Sequence, residues 1–363
     1  MKKDLSIMIK PASSACNMRC EYCFYHSLAQ SRKDESFGTM TQHTAENLIR
    51  QALEFSDGGS IYFTFQGGEP LIAGKDFFSQ FVSTVNKYNM KGSPIYYGLQ
   101  TNGTLIDSEW ADFFATNNFL LGLSLDGDEN ANRFRVDTNM NNTFSKIKEA
   151  MDLLNKRGVE FNILVVATGH TADNIEDVYN YFKRQGIKYL QFIPCLRPFG
   201  DKSVSPLYMD VDQYTSFLIK LFKLYAKDYA NGEYISLRQF DNYVRLFLGQ
   251  NAEQCGMNGY CSRQFVVEGN GNVYPCDFYC LDEWLLGNVN ADSFEQIASN
   301  PKAYKFMRDS LQVDKQCQEC EYYRLCRGGG CKRAKEDNDY CLAYKRFFKE
   351  CLPLFKLFIN ARC

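Results

Sequence analysis

Three cysteines close to the amino terminus constrain this chain more than any other feature. Cys16, Cys20 and Cys23 follow one another with the spacing C-x3-C-x2-C. Three thiolates on one short loop can hold three irons of a cubane iron–sulfur cluster, which leaves the fourth iron without a protein ligand. A small molecule can chelate such an open iron, whereas a cluster used only for electron transfer normally has cysteine on every iron. A zinc site is the alternative interpretation, and His26 is the only candidate nearby for its fourth ligand.

The bulk composition excludes several broad classes of protein. The 363 residues suffice for one large domain and a smaller one, and 45% apolar and 23% charged residues are ordinary for a globular protein. The net charge of -2 argues against a nucleic-acid partner bound through its phosphates. No apolar run approaches the ~18 residues of a membrane span, and the short run at 5–9 predicts a strand rather than a signal peptide. We therefore expect a cytoplasmic protein that binds neither nucleic acid nor membrane.

Cysteine is abundant in this chain and histidine is scarce. There are 15 cysteines but only 3 histidines. A reducing compartment makes a disulfide framework improbable, so metal binding explains the cysteines better. A composition rich in thiolates and poor in imidazoles favours iron–sulfur clusters over catalytic zinc, and open clusters of this kind favour an anaerobic host.

The first half of the chain alternates strand-like and helix-like segments. Short apolar runs bounded by Gly, Pro, Asn or Asp predict strands at 5–9, 61–65, 95–100, 120–125, 161–166 and 190–193. Helices are predicted between them, with Thr41 and Ser108 as N-caps and Gly158 and Gly186 as C-terminal stops. Residues 206–249 predict two more helices, whose aromatic stripe we assign to the core. The alternation predicts an α/β fold with a parallel sheet, and six repeats are too few for an eight-fold barrel.

The cysteine spacing, with the aromatic Tyr22 before the last cysteine, resembles the signature of the radical S-adenosylmethionine (SAM) superfamily. In that superfamily SAM chelates the open iron and is cleaved to a 5′-deoxyadenosyl radical. Segment 66–70, which follows the second predicted strand, resembles the superfamily's GGEP motif that cradles the SAM amino group. The resemblance implies a partial (β/α)6 barrel of the radical SAM type, with SAM contacts from Tyr22, Gln66, Gly67, Gly68, Glu69, Ser124, Arg135 and Leu196. Arg133 is a second candidate for the SAM carboxylate, and a surface salt bridge is the alternative for either arginine.

The C-terminal third carries eight cysteines spaced for two sites of four thiolates each. This arrangement resembles the SPASM domain, which carries two auxiliary 4Fe–4S clusters. The resemblance implies that auxiliary cluster I takes Cys255, Cys261, Cys276 and Cys331. It implies that auxiliary cluster II takes Cys317, Cys320, Cys326 and Cys341. The chain has one residue more than the usual family spacing, in the glycine run before Cys331. No role is assigned to Cys195, Cys280, Cys351 and Cys363.

The sequence therefore predicts three consecutive parts. Residues 1–205 form the radical SAM partial barrel, and residues 206–254 form a helical linker that packs on it. Residues 255–363 form the cysteine-rich SPASM-like domain, which begins where the strand and helix periodicity breaks down.

Over its whole length the chain resembles the anaerobic sulfatase-maturating enzymes, most closely at 10–14, 23–27, 99–104 and 274–279. Those enzymes oxidise a Cys or Ser, within a C/S-x-P/A-x-R sequence of a sulfatase, to Cα-formylglycine. The resemblance implies that Asp277, beside Cys276, is the base. It implies that Tyr25, Gln100 and Asn102 position the substrate peptide. A structural Asp that caps the turn after a hairpin is the alternative for Asp277.

The same resemblance implies the partners. They are a nascent or unfolded sulfatase and an electron donor such as flavodoxin or ferredoxin, and we expect a monomer. Another SPASM-type maturase that forms thioethers or peptide crosslinks is the alternative enzyme, although the cysteine triplet at residue 16 leaves no room for the peptide-binding domain that precedes many of them. A non-enzymatic electron carrier is the alternative of a different class, and the open iron site argues against it.

Overall fold

The computed structural model describes residues 2–201, 203–336 and 340–359. The strands are β1 Leu5–Ile9, β2 Ile61–Phe65, β3 Ile95–Thr101, β4 Phe119–Ser124, β5 Phe161–Ala167, β6 Tyr189–Pro194, β7 Ser236–Leu237, β8 Phe265–Val267, β9 Asn272–Tyr274 and β10 Gly287–Asn288. The helices are α1 Phe24–Gln30, α2 Gln42–Ser56, α3 Lys75–Tyr88, α4 Ser108–Thr116, α5 Phe144–Arg157, α6 Gly169–Asp173, α7 Ile175–Arg184, α8 Val211–Ala230, α9 Arg238–Phe247, α10 Phe294–Ala298, α11 Pro301–Asp309, α12 Tyr323–Cys326, α13 Lys332–Glu336 and α14 Cys341–Cys351. Cys363 lies outside the described residues.

The chain folds into two compact units that do not follow the boundaries expected from the sequence. The first contains Met1–Ser124, Arg133–Phe161 and Arg263–Lys305, and the second contains the intervening segments and the carboxyl-terminal part. The segment around Cys276, expected in the third domain, thus belongs to the same unit as the first strands. The reason is that β8 pairs in parallel with β1, with Ile7 opposite Phe265. The three consecutive domains stay a prediction.

The sheet of the first unit brings distant polar segments to one edge. Strands β1, β2, β3 and β4 are parallel neighbours in chain order. Beyond β1 come the parallel β8 and then the antiparallel β9 and β10. The carboxyl ends of β1, β2, β3 and β8 therefore meet at the same edge, which is where the predicted site residues follow the strands.

Aromatic side chains build the core of the first unit. Burial alternates along β2, as expected for a strand with one covered face. Phe63 and Phe65 of β2 pack against Phe81 and Phe78 of α3, with ring centroids 5.2 and 4.9 Å apart. Each fully buried ring of this kind stabilises the fold by roughly 1.5–3 kcal/mol relative to an exposed one. This packing fixes the strand ends on which the polar residues stand.

The second unit contains the predicted aromatic stripe in its core. Strands β5, β6 and β7 pair in parallel in that order. The two helices expected between 206 and 249 are present as α8 and α9. Phe217, Phe222 and Phe240 of these helices are buried, and Phe222 stacks on Phe355 with centroids 4.6 Å apart. The assignment of the stripe to the core is confirmed.

The helix ends agree with those predicted from the sequence, except at one N-cap. Thr41 caps α2 by accepting a hydrogen bond from the Thr44 backbone N–H at 3.1 Å. Gly158 ends α5 in the left-handed region, with φ 67°. The prediction that Ser108 caps α4 is wrong, because Asp107 accepts the bond from the Trp110 N–H and Ser108 becomes the first helical residue. No helix in the described part of the chain is long and apolar enough to span a bilayer.

Candidate active site

The loop that carries the three N-terminal cysteines is held by the turn after β2. The Gly68 N–H donates to the Ser13 carbonyl at 3.0 Å, and the Glu69 N–H donates to the Ala15 carbonyl at 2.8 Å. A Cβ at position 68 would lie 2.0 Å from the Ala15 oxygen, so only glycine fits there. The glycines of segment 66–70 thus pack the cysteine loop against the end of β2, a role in addition to the SAM contact that the resemblance implies.

Glu69 joins the ends of β2 and β3 from a fully buried position. Its carboxylate accepts hydrogen bonds from the Leu71 N–H at 3.1 Å, the Thr101 hydroxyl at 2.8 Å and the Asn102 N–H at 2.8 Å. Burial raises the pKa of Glu69 to about 7, although these three bonds act in the opposite direction. The side chain is therefore an organiser of the strand ends, and its SAM contact stays a prediction.

Asn102 contacts the cysteine loop directly. Its side-chain amide donates to Asn17 Oδ1 at 3.0 Å and lies 3.9 Å from Cys16 Sγ. The Met18 N–H also points to Cys16 Sγ, at 3.3 Å. Hydrogen bonds to sulfur of this kind tune iron–sulfur clusters. Burial raises the pKa of Cys16 to about 12, so a bound metal must displace a proton from this thiol. Asn102 thus faces the loop, and its role in substrate binding stays a prediction.

The structure distinguishes the two arginines proposed for the SAM carboxylate. Arg135 is 6% exposed, and its guanidinium lies over the Tyr22 ring at 5.4 Å, whereas Arg133 is exposed. Burial raises the pKa of Cys23, and Arg135 opposes that rise. Ser124 is buried at the end of β4. These positions favour Arg135 over Arg133. Leu196 is half-buried after β6, in the second unit.

Asp277 lies at the centre of a hydrogen-bonded cluster in the first unit. It directly follows Cys276 and begins a short 3-10 helix after β9. The Tyr25 hydroxyl donates to its Oδ2 at 2.5 Å, and the Gln66 amide donates to the Tyr25 oxygen at 2.7 Å and reaches Oδ2 at 3.3 Å. Burial, followed by the neighbouring carboxylate, raises the pKa of Tyr25, so the phenol keeps its proton. Gln66 is thus engaged with the predicted base and the predicted substrate contact.

Sequence reasoning missed the charged side chains behind Asp277. Lys10, the residue after β1, places its ammonium 2.8 Å from Asp277 Oδ1 and 3.6 Å from Glu268 Oε1. Arg32 binds the same Glu268 oxygen at 2.6 Å. Cys280, which had no assigned role, accepts from Lys10 at 3.4 Å. The only sequence signal for this cluster was a lysine that follows an apolar strand, inside one of the four segments that carry the family resemblance.

Four cysteines of the second unit line one cavity. They are Cys317, Cys320, Cys326 and Cys341, the set expected for auxiliary cluster II. The glycine run before Cys331 has positive φ at all three positions, 75°, 91° and 108°, so its extra residue fits a loop that favours glycine. Burial raises the pKa of Cys326 to about 11, and the Gly329 N–H opposes this by donating to the thiol. Cys351 is buried elsewhere, on the last turn of α14.

The cysteines expected for auxiliary cluster I are distributed over both units. Cys255, Cys261 and Cys331 belong to the second unit. Gly256 follows Cys255 and allows close approach, because a Cβ there would lie 2.4 Å from that of Cys331. The Lys332 N–H donates to Cys261 Sγ at 3.4 Å. Cys276 belongs to the first unit, so this ligand set stays a prediction.

The chemistry of the donor residues fits iron–sulfur clusters. Three cysteines stand on one short loop, and four more line one cavity of the second unit. A cubane places each thiolate on a separate iron. Thiolate donors with few imidazoles nearby suit such clusters.

Comparison with known proteins covers nearly the whole chain. The radical SAM superfamily model matches residues 11–182, and the SPASM model, an iron–sulfur cluster-binding domain, matches residues 255–321. A cysteine-type anaerobic sulfatase-maturating enzyme of Clostridium perfringens (strain 13 / Type A) is 44% identical over 96% of each chain. A serine-type enzyme of Bacteroides thetaiotaomicron is 29% identical over 97% of this chain and 90% of that protein. The solved structure of native anSMEcpe with bound AdoMet and Kp18Cys peptide has a TM-score of 0.93 and 42% identity, over 99% of this chain and 100% of that one.

These matches bear out the fold expected from the sequence, an α/β radical SAM partial barrel with a C-terminal SPASM domain. The radical SAM match includes the cysteine triplet and the glycine turn after β2, and the SPASM match begins at Cys255. The expectation of an enzyme of this superfamily is likewise confirmed. By sequence identity over almost its full length, the chain belongs to the anaerobic sulfatase-maturating enzymes, radical SAM proteins that carry a SPASM domain.

Proposed function

We propose that this enzyme oxidises a cysteine of a nascent or unfolded sulfatase, within a C-x-P/A-x-R sequence, to Cα-formylglycine. The observation that carries the proposal is the 2.5 Å hydrogen bond between Tyr25 and Asp277. Tyr25 stands two residues after Cys23, and Asp277 stands one residue after Cys276. A predicted base and a predicted substrate contact therefore meet beside two cysteine motifs. A substrate bound there would lie near both a source of radicals and an acceptor of electrons.

Three 4Fe–4S clusters belong to this proposal. Cys16, Cys20 and Cys23 hold the SAM-binding cluster, and the eight cysteines of the SPASM domain hold the two auxiliary clusters in the sets given above. The residues that would hold SAM are Tyr22, Gln66, Gly67, Gly68, Glu69, Ser124, Arg135 and Leu196. When bound, these groups supply a 5′-deoxyadenosyl radical and an acceptor for one electron. A small iron–sulfur or flavin protein is the reductant.

The side chains of this enzyme handle the proton and the substrate. Oxidation removes one hydrogen atom from Cβ, one proton from sulfur and one electron, which leaves a thioaldehyde that water converts to the aldehyde with release of hydrogen sulfide. Asp277 accepts the sulfur proton, because its carboxylate lies beside Cys276 and is oriented by Tyr25 and Gln66. Tyr25, Gln100 and Asn102 contact the peptide at the carboxyl end of the sheet.

The proposed preference for cysteine over serine rests on the higher sequence identity of this chain to a cysteine-type relative. The chain is 44% identical to a cysteine-type relative and 29% identical to a serine-type relative, over similar lengths. A peptide with cysteine in the target position should therefore be converted faster than its serine counterpart.

Mass spectrometry of a sulfatase-derived peptide tests the function. The anaerobic enzyme, with dithionite and SAM, should convert the target thiol to an aldehyde and form 5′-deoxyadenosine. Asp277→Asn should lower formylglycine yield by roughly 100-fold or more, because general-base catalysis contributes 10²–10⁴-fold. Iron content and SAM binding should stay at the wild-type level.

Asp241→Asn is the matched control for this substitution. Asp241 also accepts a hydrogen bond from a tyrosine, Tyr225, at 2.7 Å, but it lies on α9 in the second unit. The formylglycine yield of the Asp241→Asn variant at neutral pH should equal that of the wild type. Normal product from the Asp277 variant would remove this residue from the mechanism, and a wild type that cleaves SAM without forming an aldehyde would refute the function.

A further inference from the structure

We propose that Lys10 is the positioning residue of the base: its ammonium fixes the Asp277 carboxylate so that proton removal is coupled to oxidation of the substrate. The inference rests on the proposed function, because it assigns Lys10 a role in that reaction. Lys10 does not touch the substrate in this proposal. It acts through Asp277.

The two oxygens of Asp277 have different partners, which fixes the rotation of the carboxylate. Oδ1 lies 2.8 Å from the Lys10 ammonium, and Oδ2 accepts the bond from the Tyr25 hydroxyl at 2.5 Å. Lys10 also lies over the face of the Tyr25 ring, with Nζ 4.8 Å from the centroid. One cation thus contacts both the base and the phenol that orients it, so a shift of Lys10 would move both groups.

Lys10 is held in place at the end of β1. Its backbone N–H donates to the Val267 carbonyl at 2.8 Å, which ties the end of β1 to the end of β8. Its Cβ and Cγ cover Gly67, where an added Cβ would lie 3.2 Å from both atoms. The side chain is 2% exposed. A buried lysine has few rotamers available, which is what a positioning group requires.

The ammonium of Lys10 also interacts with a second carboxylate, that of Glu268. Glu268 Oε1 lies 3.6 Å from Lys10 Nζ and accepts from Arg32 at 2.6 Å. The cluster therefore contains two cations, Lys10 and Arg32, and two anions, Glu268 and Asp277, all buried. Burial disfavours the charged forms of Lys10 and Glu268, but attraction to the neighbouring opposite charges outweighs it. The pKa of Lys10 is therefore raised, and the pKa of Glu268 is lowered. Lys10 stays charged, and Asp277 faces a fixed cation.

The test measures formylglycine and 5′-deoxyadenosine in the same reaction of the reconstituted enzyme. Lys10→Met removes the charge and keeps the length of the side chain. The ratio of formylglycine to 5′-deoxyadenosine should fall on the order of 100-fold, since small misplacements of a catalytic group have costs of that size. The ratio is measured at saturating peptide, so that a change of peptide affinity through Tyr25, whose ring lies against Lys10, does not enter it. A purely structural role would lower both products together and leave the ratio unchanged.

Lys183→Met is the matched control. Lys183 lies 2.8 Å from Asp228, which accepts a bond from the Tyr179 hydroxyl, so a lysine, an aspartate and a tyrosine interact there too, although Lys183 is partly exposed. These residues belong to α7 and α8 of the second unit. The product ratio of this variant should equal that of the wild type.

The double variant Lys10→Met/Asp277→Asn tests whether Lys10 acts through Asp277 or independently of it. Its product ratio should equal that of Asp277→Asn within about threefold, because coupled residues are not additive. A double variant that is much worse, or a Lys10 variant with full iron and the wild-type ratio, would overturn the inference while the proposed function stands. A wild type that makes no formylglycine would refute the proposed function itself, and the role of Lys10 would fall with it.

A second variant covers the case in which Lys10→Met does not retain its iron. Glu268→Gln keeps the lysine and removes the carboxylate that holds it from behind. The product ratio should fall roughly tenfold, the lower end of effects seen for groups that orient a ligand from behind. A wild-type ratio with full iron in this variant would overturn the inference.

Discussion

Single backbone contacts decide where the N-terminal cysteines lie. The amide of Gly68 and the amide of Glu69 bind two carbonyls of the loop, Ser13 and Ala15, just before Cys16. The glycine at position 68 is required by space and not by an unusual φ, since a Cβ would overlap the Ala15 carbonyl. The loop and the turn therefore depend on each other, although more than fifty residues separate them in the sequence.

Gly68→Ala should remove the first cluster. Because the Ala15 carbonyl must move to make room for the added methyl group, the spacing of the three thiolates changes. The anaerobically reconstituted variant should contain about four irons fewer than the wild type and should form no 5′-deoxyadenosine. Iron analysis and chromatography of the reaction measure both quantities.

Gly92→Ala is the control for the glycine substitution. Gly92 has φ 64° and nothing within 4 Å of an added Cβ, so this change introduces only backbone strain of roughly 1–2 kcal/mol. Its iron content should be that of the wild type. Full iron in the Gly68 variant would show that the contact with Ala15 does not shape the cluster loop.

At the scale of secondary-structure elements, one carboxyl group connects three of them in the second unit. Asp241 on α9 accepts hydrogen bonds from Tyr225 on α8, at 2.7 Å, and from Ser236 on β7. Burial raises the pKa of Asp241 above its ordinary value of about 3.8, although both bonds act in the opposite direction. The folded protein thus keeps this proton at pH values where the unfolded chain has lost it.

This shift predicts a pH dependence of stability. Between about 3.8 and the folded-state pKa the native state binds more protons than the unfolded chain, so the contribution of Asp241 to the free energy of unfolding falls as pH rises. Asp241→Asn cannot titrate. Anaerobic thermal midpoints of both proteins between about pH 4 and 8 should show the wild type losing stability relative to the variant as pH increases. A constant difference, or one of the opposite slope, would contradict the argument.

At the scale of the whole molecule, iron content reports how many of the cysteines act as ligands. The cavity of the second unit is lined by Cys341 together with three other cysteines, and Cys351 does not line it. Wild-type protein should load about twelve irons, and Cys341→Ala should load about eight, because one auxiliary cluster loses a ligand.

Cys351→Ala is the control, since it removes a buried thiol from the same helix, α14. It should keep about twelve irons and lose only a modest amount of thermal stability. Equal iron in the two variants would mean that the ligand set of auxiliary cluster II is wrong.

The locally encoded parts of this protein could be predicted from its amino-acid sequence alone. The cysteine triplet, the glycine turn after β2 and the alternation of strands and helices each occupy a short stretch, so their spacing records the chemistry directly. The similarity of these motifs to those of a known family then predicted the correct fold and family. The predicted N-cap of α4, Ser108, is wrong by one residue, because Asp107 is an equally good cap and precedes it.

The residues that surround Asp277 could be identified only in the folded protein. Lys10 and Cys280 are 270 residues apart, and Arg32 and Glu268 are 236 apart. They meet because β8 pairs with β1, and the pairing of distant strands leaves no periodic trace in either segment. The difference in burial between Arg135 and Arg133 likewise depends on tertiary packing, and two arginines of the same local segment do not reveal it. Burial and long-range pairing turned a lysine at the end of a strand into the ion-pair partner of Asp277.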